Sequence, residues 1–351
     1  MMPTLFDDVE KPIIGSKHPP ICPVADEVIE QIATKWRERG FPHYLLSDEE
    51  RLHQFNLLKN FDCVKLLQGG TVKQTLHALG LAWHYFPHHW DVRVGKMKTA
   101  VDVWNDDDLF CRAIRSRIKW GGYLLDTSGT ADLSAADMRK ALRTFSGVQR
   151  VSNFRPSAAR AIYDHFAAGT VWDMSCGYGG RLLGAMTSKS VDHYIGTEPA
   201  KDTIAGLSRI IQDFATHTAT KVTIHKTGAE TFTPEPNSCS LCFTSPPYFN
   251  TEKYSDEPTQ SWKQYATPHE WNEGFLRRTI QNCRIALENN GHLIINIANV
   301  KSHKTLEADT MSIAQEEGFT LKSILHLSLS SINNGGFKYE PMFVFTKRKT
   351  R

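Results

Sequence analysis

Val171-Trp172-Asp173-Met174-Ser175-Cys176-Gly177-Tyr178-Gly179-Gly180 is a short apolar run that ends in a glycine-rich turn, and Leu182, Leu183 and Met186 follow it at helical spacing. A strand that passes into a helix through glycines lets the backbone approach a ligand closely. It also leaves the first helical N–H groups pointing at that ligand. Taken alone, a G-x-G-G is common. The next unit strengthens it: Tyr194-Ile195-Gly196-Thr197-Glu198 ends a second β-rich run in a carboxylate, 19 residues after Gly179. In α/β nucleotide sites an acid at that place accepts hydrogen bonds from ribose hydroxyls. A dinucleotide-binding dehydrogenase is still open at this point.

Outward from this turn, the second half of the chain keeps one rhythm. Short β-rich runs at Thr170–Met174, Asp192–Gly196, Val222–His225, Ser240–Thr244, His292–Ile297, Leu321–Leu329 and Met342–Thr346 alternate with amphipathic stretches of helix length. Seven strands spaced this way predict an α/β fold, a mostly parallel sheet covered by helices on both faces. The first half reads instead as helices. Val24 to Arg39 is amphipathic and stops at Gly40 and Pro42. Ser47-Asp48-Glu49-Glu50 is a capping box ahead of Leu52, Phe55 and Leu58, and Ser134-Ala135-Ala136-Asp137 opens a helix with Met138, Leu142 and Phe145 on one face. The period changes between Phe145 and Asn153. This divides the chain into a mainly helical region, 1–147, and an α/β domain, 148–351.

The 351 residues are 40% hydrophobic and 23% charged, the composition of a folded chain rather than a disordered one. Leu293-Ile294-Ile295 is followed at once by Asn296, far short of the ~20 apolar residues of a membrane span. The first ten residues carry Asp7, Asp8 and Glu10, which is not a secretory leader pattern. Seven cysteines scattered from Cys22 to Cys283 suit a reducing cytoplasm rather than a disulfide framework. Cys239 and Cys242 have no second C-x-x-C or histidine pair at zinc spacing and read as packed strand thiols. His84, His88 and His89 are interrupted by Pro87 and lack a supporting carboxylate, so no metal is expected.

The net charge of +3 hides a regional bias. Residues 1–50 hold 5 basic and 10 acidic side chains, 51–150 hold 15 and 9, and the rest 21 and 19. In the basic block Arg112, Arg115, Arg117 and Lys119 would stripe one helical face, with Trp83, Tyr85, Trp90, Trp104, Trp120 and Tyr123 around them. Cations interleaved with aromatics suit a phosphate backbone and splayed bases. A solvated helix face over an aromatic core is the plainer alternative. Arg112, Arg115 and Lys119 are the nucleic-acid candidates.

Phe243-Thr244-Ser245-Pro246-Pro247-Tyr248-Phe249 ends the fourth strand of the series. Two prolines stiffen the loop and remove two N–H donors, leaving acceptors. In the order glycine-rich turn, acid, Ser-Pro-Pro-Tyr, the chain resembles the S-adenosylmethionine-dependent methyltransferases that act on exocyclic amino groups of nucleic-acid bases. The resemblance covers about residues 148–351 and implies a Rossmann-like class I methyltransferase sheet. It implies Ser245, Pro246, Pro247 and Tyr248 as catalytic, with Tyr248 stacking on a base flipped out of the duplex. For S-adenosylmethionine it implies Asp173, Ser175, Cys176, Gly177, Gly179 and Glu198, with Asn153 or Arg155 at the methionine carboxylate and Glu230 toward the adenine. It further implies Gly291–Ile297 and Tyr339–Phe345 as later strands, with Glu340 near the target pocket. DNA is the implied substrate, cytosine N4 ahead of adenine N6, with an RNA base also open. The tetrad follows the cofactor motif, the reverse of the order in many N4-cytosine enzymes. A cognate restriction or defence partner would suit such an activity. A rival of another class is a non-catalytic nucleic-acid-binding protein that kept the fold. Its mark would be damage at Gly177, Gly179, Ser245 or Tyr248, and all four are intact.

Overall fold

A computed structural model describes residues 24–121, 133–145, 147–149, 151–331 and 337–347. The acidic N-terminal stretch, Cys22 and Tyr123 lie outside the described residues, as does the Trp120 side chain. The strands are β1 (Leu67–Gln68), β2 (Thr71–Val72), β3 (Arg93–Val94), β4 (Gly169–Asp173), β5 (Val191–Thr197), β6 (Lys221–His225), β7 (Cys239–Thr244), β8 (Glu252–Lys253), β9 (Leu287–Asn296), β10 (Phe319–Ser331) and β11 (Phe337–Lys347). All seven expected strands are present. The main sheet runs β1-β2-β10-β11-β9-β7-β4-β5-β6. β4 pairs in parallel with β5 and β7, β5 with β6, and β7 with β9, while β11 joins β9 antiparallel. The sheet is thus the mostly parallel α/β arrangement that the spacing predicts and the Rossmann-like one that the resemblance implies. The chain moves outward from β4 through β5 to β6 and then returns to the other side of β4 at β7. That reversal is a topological switch point, where α/β sheets bind ligands beyond the carboxyl ends of the strands.

The central strands β4, β7 and β9 run parallel to one another and are buried on both faces, so they read as apolar runs. Val171, Trp172, Leu241, Cys242, Phe243, Leu293 and Ile294 are all essentially inaccessible to water. Cys239, Cys242 and Cys283 pack together in this core. The helix Pro156–Phe166 crosses the helix Gly180–Thr187 closely enough that a Cβ on Gly184 would stand 2.8 Å from the Ala159 Cβ. Arg160, itself buried, donates to the carbonyls of Leu58, Lys59 and Phe61, which close the helix Asp48–Asn60.

The structure divides differently from the boundary expected at 147. One compact unit comprises 43–102, 146–329 and 339–351, and the other comprises 1–42, 103–145 and 330–338. Residues 43–102 go with the sheet because they belong to it. Gly69 and Gly70, at φ 56° and 77°, turn β1 into β2, and β2 pairs in parallel with β10 at His326 and Leu327. A Gly-Gly pair is the residue choice for such a two-residue hairpin turn. Among the described residues the sheet therefore has nine strands rather than seven. The helices Asp26–Arg39, Asp107–Gly121 and Ala135–Thr144 form the other unit around Ile29, Trp36, Phe110, Ile114 and Leu142. No helix among the described residues is long and apolar enough to cross a membrane.

Candidate active site

At the switch point β4 and β7 pair through Val171↔Leu241 and Trp172↔Cys242, so the turns that follow them emerge side by side. The Thr244 hydroxyl, last in β7, donates to Asp173 Oδ1 at 3.1 Å, last in β4, and ties the two turns together. Asp173 has no exposed surface. Its other oxygen accepts from Arg181 Nε at 2.8 Å and from the Tyr194 hydroxyl at 2.7 Å. Arg181, nearly as buried, also donates to the Ser175 carbonyl. A buried carboxylate so fully matched is a structural anchor beneath the turn.

The glycine-rich turn rests on this anchor. Cys176 N–H donates to the Thr197 carbonyl at 3.0 Å, and the Thr197 hydroxyl donates to the Met174 carbonyl at 2.9 Å. Gly177 (φ 54°) and Gly179 (φ 69°) are left-handed, but for different reasons. A Cβ on Gly179 would stand 2.6 Å from Ile210 and one on Gly180 only 1.9 Å from the Phe154 carbonyl, so those two serve packing. A Cβ on Gly177 would meet nothing nearer than the Ser175 carbonyl at 3.9 Å. Gly177 therefore opens onto space that a ligand can enter.

Glu198 lies across that space at the end of β5. Its carboxylate accepts from Gly177 N–H at 3.1 Å and Ala200 N–H at 3.0 Å. Burial outweighs these two bonds and pushes its carboxyl up to about 7. Past β6, Glu230 is buried and its Oε2 has no hydrogen-bond partner among the described residues. Burial raises its carboxyl as well, against the pull of Arg278. Asn153 uses its side-chain N–H on the Tyr178 carbonyl at 2.9 Å and so shapes the turn, while Arg155 precedes the helix Pro156–Phe166. An acceptor in want of a donor, a carboxylate held by backbone, and an open glycine together fit an adenosine-type group, whose hydroxyls and amino group are donors.

In the second turn Pro246 is buried, and Ser245, Pro247 and Tyr248 are half-exposed. The Tyr248 hydroxyl donates to the Asn296 carbonyl at 3.4 Å and to Glu340 Oε2 at 3.3 Å. Burial and then Glu340 hold its phenol well above the usual range, with Ser245 acting in the opposite sense. Phe249 closes the turn in the left-handed region (φ 57°), its ring buried beside Trp271 and His303. In the segment beyond, Lys253 Nζ and Lys263 Nζ lie 4.9 and 5.2 Å from the Trp262 ring.

The structure thus brings together the tetrad, the glycine-rich turn and Glu198. The basic candidates lie on the helix Asp107–Gly121, in the other unit. There Arg115 pairs with Asp26 and the Val24 carbonyl, and Arg112 pairs with Asp108 at 3.5 Å. The three histidines serve the fold: His84 Nδ1 bonds backbone at Tyr44 and Leu46, His88 meets the Thr203 hydroxyl, and His89 meets the Phe86 carbonyl beneath Trp83. Arg181 and Thr244 were missed by sequence reasoning. An arginine directly after the Gly179-Gly180 pair that opens a helix was the available sign for the first.

The DNA methylase family model (N6_N4_Mtase) matches residues 239–351, which span the tetrad and the strands after it. No curated protein matches the chain. Among solved structures it is similar to N-methyltransferase NodS of Bradyrhizobium japonicum, crystallised with S-adenosyl-L-homocysteine, at 11% identity over 54% of this chain and 83% of that one, TM-score 0.37. It is likewise similar to a SAM-dependent methyltransferase of Leishmania major at 13% identity over 52% and 65%, TM-score 0.37. A third is the YcgJ protein of Bacillus subtilis, at 12% identity over 56% and 98%, TM-score 0.37.

Proposed function

We propose that this protein is a methyltransferase that uses S-adenosylmethionine to methylate the exocyclic amino group of a nucleic-acid base, cytosine N4 first. The observation that carries this is the Thr244–Asp173 hydrogen bond, which sets the tetrad beside the nucleotide-type turn at the switch point. S-adenosylmethionine supplies an electrophilic methyl on sulfur. Glu198 takes the ribose hydroxyls, Glu230 the adenine amino group, and the Gly177 backbone permits close approach. Ser245 Oγ and the Pro246 carbonyl accept the two amine hydrogens of the base and turn the nitrogen lone pair toward the methyl. That arrangement strengthens as positive charge develops on nitrogen, which is how it favours transfer over mere binding. Tyr248 offers its ring to the extruded base. Lys253, Lys263 and Trp262 supply charge and a stacking face for the strand. N6-adenine methylation is the second reading, supported by the family model, which covers both reactions.

The test is incubation with unmethylated DNA and labelled S-adenosylmethionine, followed by nucleoside mass spectrometry, with an RNA arm. N4-methylcytosine is the expected product. Methylation of neither DNA nor RNA overturns the proposal.

The Glu198 carboxyl makes cofactor affinity pH-dependent. Ribose hydroxyls donate best to the ionised form, which fills as pH rises through about 7. Binding should therefore be about 10-fold weaker at pH 6 than at pH 8, and Glu198→Gln should flatten the dependence. Stability of the ligand-free protein moves the other way, since a carboxyl raised in the folded state favours folding at low pH and loses that contribution as pH climbs through about 7. Calorimetry at three pH values decides this. Equal affinity at pH 6 and pH 8 would remove Glu198 from the ribose.

A further inference from the structure

The strand that leaves the tetrad turn is paired with a segment from the first half of the chain. Thr251 N–H donates to the Tyr248 carbonyl at 3.2 Å, so the backbone turns directly from the tetrad into β8. β8 pairs antiparallel with β3 through Arg93↔Lys253 and Val94↔Glu252, and Gly95 N–H donates to the Thr251 carbonyl at 3.0 Å. Residues directly opposed in a ladder share one face, and the next pair takes the other. Val94 is buried, so its face is the inner one, while Arg93 and Lys253 are exposed on the outer one. Beyond β3, a turn closed by Met97 N–H on the Val94 carbonyl at 3.1 Å carries Lys96. Lys98 follows, its N–H donating to the Gly147 carbonyl at 3.0 Å. Both lysines are exposed on backbone that is pinned on either side.

Two cations directly opposed across a ladder repel each other. Here Asp102 takes the Arg93 guanidinium at 3.0 Å, and Lys253 Nζ stands over the Trp262 ring with Lys263 Nζ over the same ring. The acids of this stretch are already engaged. Asp91 accepts from the Thr99 hydroxyl, Asp102 from Thr99 N–H and Arg93, and Asp256 pairs with Lys263 at 3.3 Å. Among the described residues, Lys96, Lys98 and Lys253 enter no ion pair. Unneutralised cations gathered along one ladder do nothing for the fold, whereas a polyanion laid over them turns repulsion into attraction.

We infer that the outer face of the β3–β8 ladder, with Lys96, Lys98 and Lys253, is a rest for the phosphate backbone of the DNA strand whose base enters the tetrad. This rests on the proposed reaction and names the surface that presents its substrate. The cations are spread over two strands and the turn after β3 rather than gathered in a cavity, which suits a run of phosphates and not a single small anion. The position suits it as well. An extruded nucleotide swings out about its own backbone, so the phosphates on either side of it stay near the residues that receive the base. The ladder is hydrogen-bonded to the tetrad turn at Thr251 and so lies where those phosphates pass. Contacts of this kind fix the register of the duplex and carry no sequence information.

The test measures binding of a short mixed-sequence DNA duplex to the full chain by fluorescence anisotropy over a salt series, with methylation followed in parallel. Lys96→Ala, Lys98→Ala and Lys253→Ala together should flatten the fall of log affinity with log salt by about 2 to 3, at about 0.9 per lost phosphate contact. Binding should weaken to a similar degree on duplexes of unrelated sequence. Cofactor affinity by calorimetry should stay at the parental value, which checks folding. Lys96→Arg with Lys98→Arg and Lys253→Arg keeps the charges and should restore the parental slope. A parental slope in the triple Ala protein overturns the inference while the methyltransferase reading stands. A slope that falls only when Arg112, Arg115 and Lys119 are replaced, or a parent that does not bind DNA, overturns it too. A slope that falls as expected in a protein that methylates neither DNA nor RNA removes the reaction and leaves the surface as a DNA-binding one.

Discussion

Arg181→Ala is expected to cost about 3–5 kcal/mol of folding stability, the largest effect of any single change near the site. Asp173 and Arg181 are both cut off from water, and their charges match each other at 2.8 Å. Taking away the guanidinium leaves a carboxylate with only Tyr194, Thr244 and one backbone N–H to replace its solvation. It also frees the Ser175 carbonyl at the foot of the glycine-rich turn. Replacing both partners by apolar side chains of similar size, as in Asp173→Leu with Arg181→Met, should cost less than Arg181→Ala alone, because no charge is then stranded. Urea denaturation of the three proteins measures this. A midpoint for Arg181→Ala equal to the parent's would show that the pair does not anchor the turn.

Ser245→Ala is expected to lower kcat about 100-fold, the scale seen when one preorganised hydrogen-bonding group is removed from a reacting centre. Cofactor affinity should not move, since Ser245 belongs to the second turn. Tyr248→Ala should act mainly on KM for DNA, by about 1–3 kcal/mol, the worth of one base–aromatic stack. Tyr248→Phe should stay near the parent because it keeps the ring and gives up only bonds of 3.3 and 3.4 Å. Single-turnover kinetics separate these effects. Parental rates in both Ser245→Ala and Tyr248→Ala would place the chemistry elsewhere in the protein.

The parts legible in the sequence were those written in local pattern. All seven strands of the α/β series were visible because a buried parallel strand is a compact apolar run bounded by polar turns. The turn at Gly177, the acid at Glu198 and the tetrad at Ser245 lay at strand ends in a fixed order. What stayed hidden depends on contacts between distant residues. The basic stripe looked available, yet Arg115 is engaged by Asp26, 89 positions away. Asp173 looked like a ligand for the cofactor, yet Arg181, Tyr194 and Thr244 occupy its oxygens. The Gly69-Gly70 hairpin did carry a signal, but strands of two residues are too short for periodicity to register.

That small hairpin decides where the chain can be cut. The thirteen-residue strand β10 would border the sheet if β2 did not lie against it. A truncation at residue 148, where the sequence changes its rhythm, would remove β1 and β2 and bare backbone N–H and C=O groups of β10 in the row that β2 covers at His326 and Leu327. Such a row is a template on which a second chain adds its own strand. Residues 67–72 thus act as a guard against self-association. A fragment starting at 148 should be recovered as aggregate more readily than one starting at 43, which keeps that pairing.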